Sequence, residues 1–124
     1  MQKSAAVEKL LAGIAITSAF TALDFIVHIQ SPALAAVPEF YYTNKIIYGS
    51  IYAIALIFAL DWLKIRSIIV KSAIFAIVIA GLLQLRYLFY YNYSTFFHLV
   101  IFPAHAIILF VLVVLYFKYR SNAK

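Results

Sequence analysis

Apolar residues run along this chain in four long blocks separated by short polar breaks. The blocks cover roughly 10–29, 45–63, 68–90 and 96–117. A helix needs about 20 apolar residues to cross the hydrocarbon core of a bilayer, so each block is long enough to span. The breaks are a loop near 30–44, a tight turn near 64–67 and a short loop near 91–95. Linkers this short make successive helices antiparallel neighbours. The pattern predicts an all-α integral membrane protein, a four-transmembrane-helix up-down bundle forming a single membrane domain over 1–124. No repeat at a fixed period and no low-complexity tract breaks it.

Polar residues inside the blocks are few, and their spacing is informative. Thr17, Thr21, Asp24 and His28 follow one another at intervals of four, three and four in the first block. At 3.6 residues per turn they share one face of a helix. His98 and His105 share a face of the fourth block, and Tyr48 and Tyr52 a face of the second. Gln84 and Arg86 leave the third in different directions. At 1.5 Å per residue, Asp24 lies about 9 Å below the membrane edge and His28 about 3 Å. On the same measure His98 lies about 5 Å deep, Arg86 about 7 Å and His105 about 15 Å. A cluster of Asp24, His28, His98 and His105 with Arg86 beside it is therefore geometrically allowed. Thr17, Thr21 and Gln84 complete the set of polar partners.

Composition strengthens the membrane reading. Hydrophobic residues make up 67% of the 124, and charged residues 11%, against roughly 25% in a soluble domain. The formal net charge of +6 raises the question of nucleic acid. The positions of the charges answer it. Lys3, Lys9, Lys64, Arg66, Lys71, Lys118, Arg120 and Lys124 fall on one side of the predicted bundle, with only Lys45 and Arg86 on the other. That asymmetry predicts both termini in the cytoplasm and a multi-pass protein of the plasma membrane. The basic residues read as cytoplasmic flanks that meet lipid headgroups, with no organised basic face for nucleic acid. Tyr and Phe residues between 40 and 48 and between 87 and 97 form an aromatic belt on the outer side.

Two local signals are set aside. "ALA" at 33–35 resembles a signal-peptidase site, but the apolar stretch before it exceeds a signal h-region, so it reads as a retained first span. "NYS" at 92–94 matches a glycosylation sequon too close to the bilayer to be used. Small residues give the expected packing faces: Ala12, Ala15, Ala19 and Ala22 on the first helix, Gly49 and Ala53 on the second, Ala76 and Ala80 on the third. Pro103 removes a donor from the fourth helix and predicts a kink two residues before His105.

Three readings of the polar cluster stay open. In the first it is structural, with Asp24 paired to Arg86 or a histidine to set helix register. In the second, His and carboxylate ligands from two helices hold copper, iron or zinc, or two histidines hold a haem b. In the third, Asp24 loads and unloads a proton for transport. Glu8 and Asp61 read as solvated partners of Lys9, Lys64 and Arg66, and Glu39 as a solvated loop residue. With no cysteine, thiolate chemistry and disulfides are excluded. No Gly-rich phosphate loop, Ser nucleophile motif or paired-carboxylate pattern is present, so soluble-type enzyme chemistry has no support.

The pair Asp24-x-x-x-His28 in "DFIVH" resembles the Asp-x-x-x-His pair of the membrane copper site in the C subunit of the ammonia and methane monooxygenase family. That family adds a second histidine about a dozen residues on, where this chain has Tyr41. The chain's size and its Ile/Tyr/Phe/Lys-rich composition are similar to the small helical accessory membrane subunits of the archaeal ammonia monooxygenase. This resemblance implies a non-catalytic subunit packed within a larger, metal-dependent oxidoreductase complex, with other membrane subunits as partners. The four spans and the first-span carboxylate also resemble small multidrug resistance transporters, which carry Glu and glycine-rich motifs where this chain has Asp24 and three glycines in all. That resemblance implies a proton-coupled homo-oligomer with Asp24 as the carrier.

Overall fold

The computed structural model describes residues 2–30, 40–90 and 94–122. These form four helices: α1 (Gln2–Gln30), α2 (Tyr41–Trp62), α3 (Ile68–Tyr90) and α4 (Thr95–Asn122). No strand occurs among the described residues. Each helix is long and apolar enough to cross a membrane. By that measure the chain is a helical membrane protein in contact with lipid. Helices suit that setting because every interior backbone N–H and C=O is satisfied within the segment. The residues of "ALA" at 33–35, Glu39 and most of the sequon lie outside the described residues.

Helices α1, α2 and α4 are longer than their apolar blocks, while α3 coincides with its block at 68–90. The 29 residues of α1 and the 28 of α4 give rods of about 44 and 42 Å, well over the ~30 Å hydrocarbon core. Their polar extensions meet at one end of the bundle. There Lys9 bridges Asp61 at 2.9 Å, Arg120 bridges Asp61 at 2.6 Å, and the Tyr116 hydroxyl donates to Glu8 at 3.4 Å. Of the expected partners Lys9, Lys64 and Arg66, Asp61 pairs with Lys9, and Arg120 takes the place of Lys64 and Arg66. The reason is that α4 continues past its apolar block and carries Arg120 alongside α2.

Packing is cyclic: α1 lies on α2 and α4, and α3 lies on α2 and α4. On α2 the buried line is Tyr41, Lys45, Gly49, Ala53, Ile57 and Leu60. On α4 it is Phe97, Ile101, His105, Leu109, Val113 and Phe117. The α4 line runs at intervals of four throughout, and the α2 line does so up to Ile57 before a final step of three, the i±4 ridge that packs into a neighbour's groove. Large apolar residues off these ridges stay exposed, among them Leu11, Ile29, Phe89, Leu99, Ile107 and Leu115.

The small residues of α2 and α3 pack as expected, with Gly49, Ala53, Ala76 and Ala80 buried. The alanine stripe of α1 does not: Ala15, Ala19 and Ala22 are exposed. At 100° per residue Ala15 and Ala22 lie across α1 from Asp24. Burying alanine would turn a carboxylate towards lipid, so the polar face wins. Contact is made instead through Gly13, Ile16, Thr17, Phe20, Thr21, Asp24 and His28, all buried. A methyl group at Gly13 would overlap Ile54 Cγ1 and lie 3.1 Å from the Ile54 backbone nitrogen. One at Gly49 would lie 2.8 Å from Thr17 Cγ2.

The turn between α2 and α3 closes tightly. Leu63 N–H donates to Ala59 O at 2.9 Å and Lys64 N–H to Asp61 O at 3.1 Å. Lys64 sits in the left-handed region with φ 58°. Ser67 caps α3, its Oγ accepting from Val70 N–H at 3.2 Å. α4 stays helical through Pro103.

Gly13→Ala should therefore destabilise the bundle by about 1–3 kcal/mol through overpacking against backbone. Gly81→Ala, whose added methyl meets nothing within 4 Å, should be neutral or stabilise by up to about 1 kcal/mol through helix propensity. Thermal unfolding of the two variants in detergent measures both effects.

Candidate functional site

The end of the bundle opposite the Asp61 network holds a buried polar knot. Its parts come from three helices. α1 contributes Asp24 and His28 at i, i+4; α2 contributes Tyr41 and Lys45 at the same spacing; α4 contributes His105. Asp24 and His105 are 0% exposed and Lys45 2%.

Asp24 is the hub. Lys45 Nζ forms an ion pair and hydrogen bond with its Oδ2. The Tyr41 hydroxyl donates to the same oxygen at 3.2 Å, and His28 Nε2 lies 3.4 Å from it. His105 Nε2 lies 2.9 Å from Oδ1. A carboxylate only accepts, so the His105 contact requires its proton on Nε2. Its Nδ1 then faces the core as an acceptor with no partner. Lys45 Nζ also donates to the Tyr41 hydroxyl at 2.9 Å and lies 3.0 Å from His105 Nε2. His28 Nε2 and the Tyr41 hydroxyl are 3.3 Å apart.

Aromatic rings stand where water would otherwise be. Lys45 Nζ lies 4.4 Å from the Tyr41 ring centroid, 5.0 Å from Phe20 and 5.8 Å from Tyr87. Tyr41 stacks on Tyr87 at 5.5 Å, and Phe20 meets the His105 ring edge-on at 4.8 Å. The ring faces attract the ammonium electrostatically. Opposite charges, hydrogen bonds and ring faces together offset the desolvation of an ion pair in an apolar interior.

The structure thus brings together three of the expected residues, Asp24, His28 and His105, and separates the others. His98 and Arg86, expected beside Asp24, make contacts elsewhere. His98 Nδ1 hydrogen-bonds the Gln84 amide, beside an apolar groove of about 530 Å³ that includes Leu99, Phe102 and Pro103. The Arg86 guanidinium lies over the Tyr48 ring, 3.7 Å from its centroid. His98 and His105 share a helix face, but two turns separate them by about 10 Å, so one reaches the depth of Asp24 and the other does not. The polar stripe of α1 also divides. Thr21 Oγ1 donates back to Thr17 O at 2.8 Å, and Thr17 packs its methyl on Gly49. Both threonines are therefore occupied within the α1–α2 contact.

Lys45 and Tyr41 are the residues that sequence reasoning missed. Lys45 was expected as a flanking charge because the apolar block starts at 45. The helix starts at Tyr41 instead, which carries Lys45 one turn inside and turns it inward. The signal was present as Tyr41-x-x-x-Lys45, the same spacing as Asp24-x-x-x-His28.

Among the described residues, no group of three or more His, Cys, Asp or Glu side chains is arranged to hold a metal ion. The Lys45 ammonium occupies the point from which a cation would touch both Asp24 and His105. The arrangement ties α1, α2 and α4 together at one level. Comparison with known protein families, with curated proteins and with solved structures finds no match to this chain.

Lys45→Met should destabilise the protein by about 3–5 kcal/mol, because it leaves the Asp24 carboxylate buried without its ammonium. Adding Asp24→Asn to that variant should recover part of the loss, giving a strongly non-additive cycle. Chemical unfolding in micelles reads the four corners, and strict additivity would show that the two charges do not support each other.

Proposed function

We propose that this chain is a non-catalytic accessory subunit of a larger membrane complex. In this reading it is an up-down bundle of the plasma membrane with both termini in the cytoplasm. The carrying observation is where its polar groups go. Asp24 meets Lys45, Tyr41, His28 and His105, all buried and all turned on one another. A reacting site needs a group that a substrate can reach, and this knot presents none. The outward faces are apolar almost throughout. The chain's mass lies in four helices, whose lateral surfaces suit neighbouring membrane subunits and lipid. The terminal placement follows the Lys and Arg residues gathered where α1 begins, α2 ends and α4 ends. The resemblance to accessory subunits of the archaeal ammonia monooxygenase supports an oxidoreductase complex as the setting.

Proton-coupled transport is the second reading, favoured by one observation: Asp24, Tyr41, His28 and His105 form a continuous hydrogen-bonded group of titratable side chains. The Lys45 ammonium weighs against it, since it already neutralises the carboxylate a carrier would protonate.

Purification from native membranes in mild detergent separates the two. Larger subunits should co-purify in fixed stoichiometry; an isolated homodimer would sink the accessory reading. In liposomes, Asp24→Asn should leave any pH-driven solute movement unchanged, and its abolition would instead establish the carrier.

A further inference from the structure

Among the described residues, four cationic side chains and one carboxylate gather at the bundle end where α2 turns into α3. A cleft of about 420 Å³ opens there, lined by Lys64, Arg66, Lys71, Arg120 and Asp61 over an apolar floor of Leu60 and Ile65. Asp61 is the one carboxylate in the cleft, and it is already shared between Arg120 and Lys9. Lys64 and Arg66 have no ion-pair partner among the described residues. Lys71 and Arg120 are steered to the cleft by one ring, with Lys71 Nζ 4.3 Å and Arg120 Cζ 5.5 Å from the Phe117 centroid. Cations held close together repel one another unless an anion lies between them.

The backbone adds a second observation. Lys64 is the one non-glycine residue with positive φ among the described residues, at 58°. The left-handed region costs a side-chain-bearing residue roughly 1 kcal/mol, and glycine is the usual choice where a helix ends this way. A lysine in that position gives the cleft a cation that glycine would not. The bend also brings Arg66 back to the same cleft.

From this geometry we propose that the cleft binds a phosphate group. Its cations come from three elements, the turn, α3 and α4. Arg66 and Arg120 offer forked N–H donors for phosphate oxygens, and Lys64 and Lys71 offer point charges. The floor of Leu60 and Ile65 suits the carbon side of a phosphoester. The source is an anionic lipid headgroup at the membrane surface or a soluble phosphate. This site is independent of the accessory or transport reading, because it uses none of the Asp24 knot.

The test uses the full chain in micelles of an uncharged detergent, with thermal unfolding as readout. Phosphatidylglycerol, phosphatidylcholine and inorganic phosphate are added separately at constant ionic strength. Phosphatidylglycerol, inorganic phosphate or both should raise the midpoint by several degrees, as a ligand of the folded state does, and phosphatidylcholine should not. A response to phosphatidylglycerol alone assigns the lipid headgroup; a response to inorganic phosphate assigns the soluble ion as a competent ligand. Lys64→Gln and Arg66→Gln, both exposed positions, should each weaken the apparent affinity about tenfold. Lys118→Gln removes an exposed cation of α4 outside the cleft lining and should leave the affinity unchanged. No shift with either phosphate source, or an equal loss in Lys118→Gln, would overturn the proposal.

Discussion

A carboxylate and an ammonium buried together among apolar helices have to satisfy each other, and much of this molecule follows from that. Asp24 and Lys45 are almost wholly removed from solvent. Alone, either would carry a penalty of roughly 2.5–3.5 kcal/mol in the middle of a membrane helix. Together they are neutral, and the rest of the knot completes their coordination. Because Asp24 must face inward, α1 presents its glycine and polar face to the bundle and its alanines to the outside. Because Lys45 must reach Asp24, α2 begins early enough to carry it inside the first turns.

The two ends of the bundle solve the same problem in different ways. At the Asp24 end the charges are sealed by Tyr41, Phe20 and Tyr87, and their hydrogen bonds are internal. At the Asp61 end the charges are partly exposed and numerous, and cations outnumber carboxylates. The first end ties α1, α2 and α4 at one fixed level. The second joins the same three helices through Lys9, Asp61 and Arg120. Between them the contacts are mainly apolar, with Phe20, Ile57, Phe75, Ile79 and Leu109 buried. An apolar centre has little register of its own, because neighbouring ridges of similar side chains can slip by a turn. The polar ties supply it.

This division suits the proposed accessory role. A subunit that offers its lateral surface to neighbours needs a rigid, internally satisfied core and an apolar exterior. The buried knot gives the rigidity without an exposed reacting group. The cationic cleft gives a place where the membrane surface, or a phosphate near it, meets the protein.

The chain alone determined the number of helices, their positions along the sequence and the inward placement of Asp24. Those depend on local quantities: runs of apolar residues long enough for a bilayer, and the 3.6-residue period that puts Thr17, Thr21, Asp24 and His28 on one face. The approach of α1 to α4 was also legible, since His105 was among the expected partners. What only the tertiary structure decided was the identity of the group that neutralises Asp24. His98, His105 and Arg86 were all within reach of a depth scale whose uncertainty is about one helical turn. Four residues of additional helix at the start of α2 moved Lys45 from the flank to the centre. The alanine face of α1 was misread for a related reason. Small residues permit close approach on any face, whereas a buried carboxylate allows only the face that meets its partner.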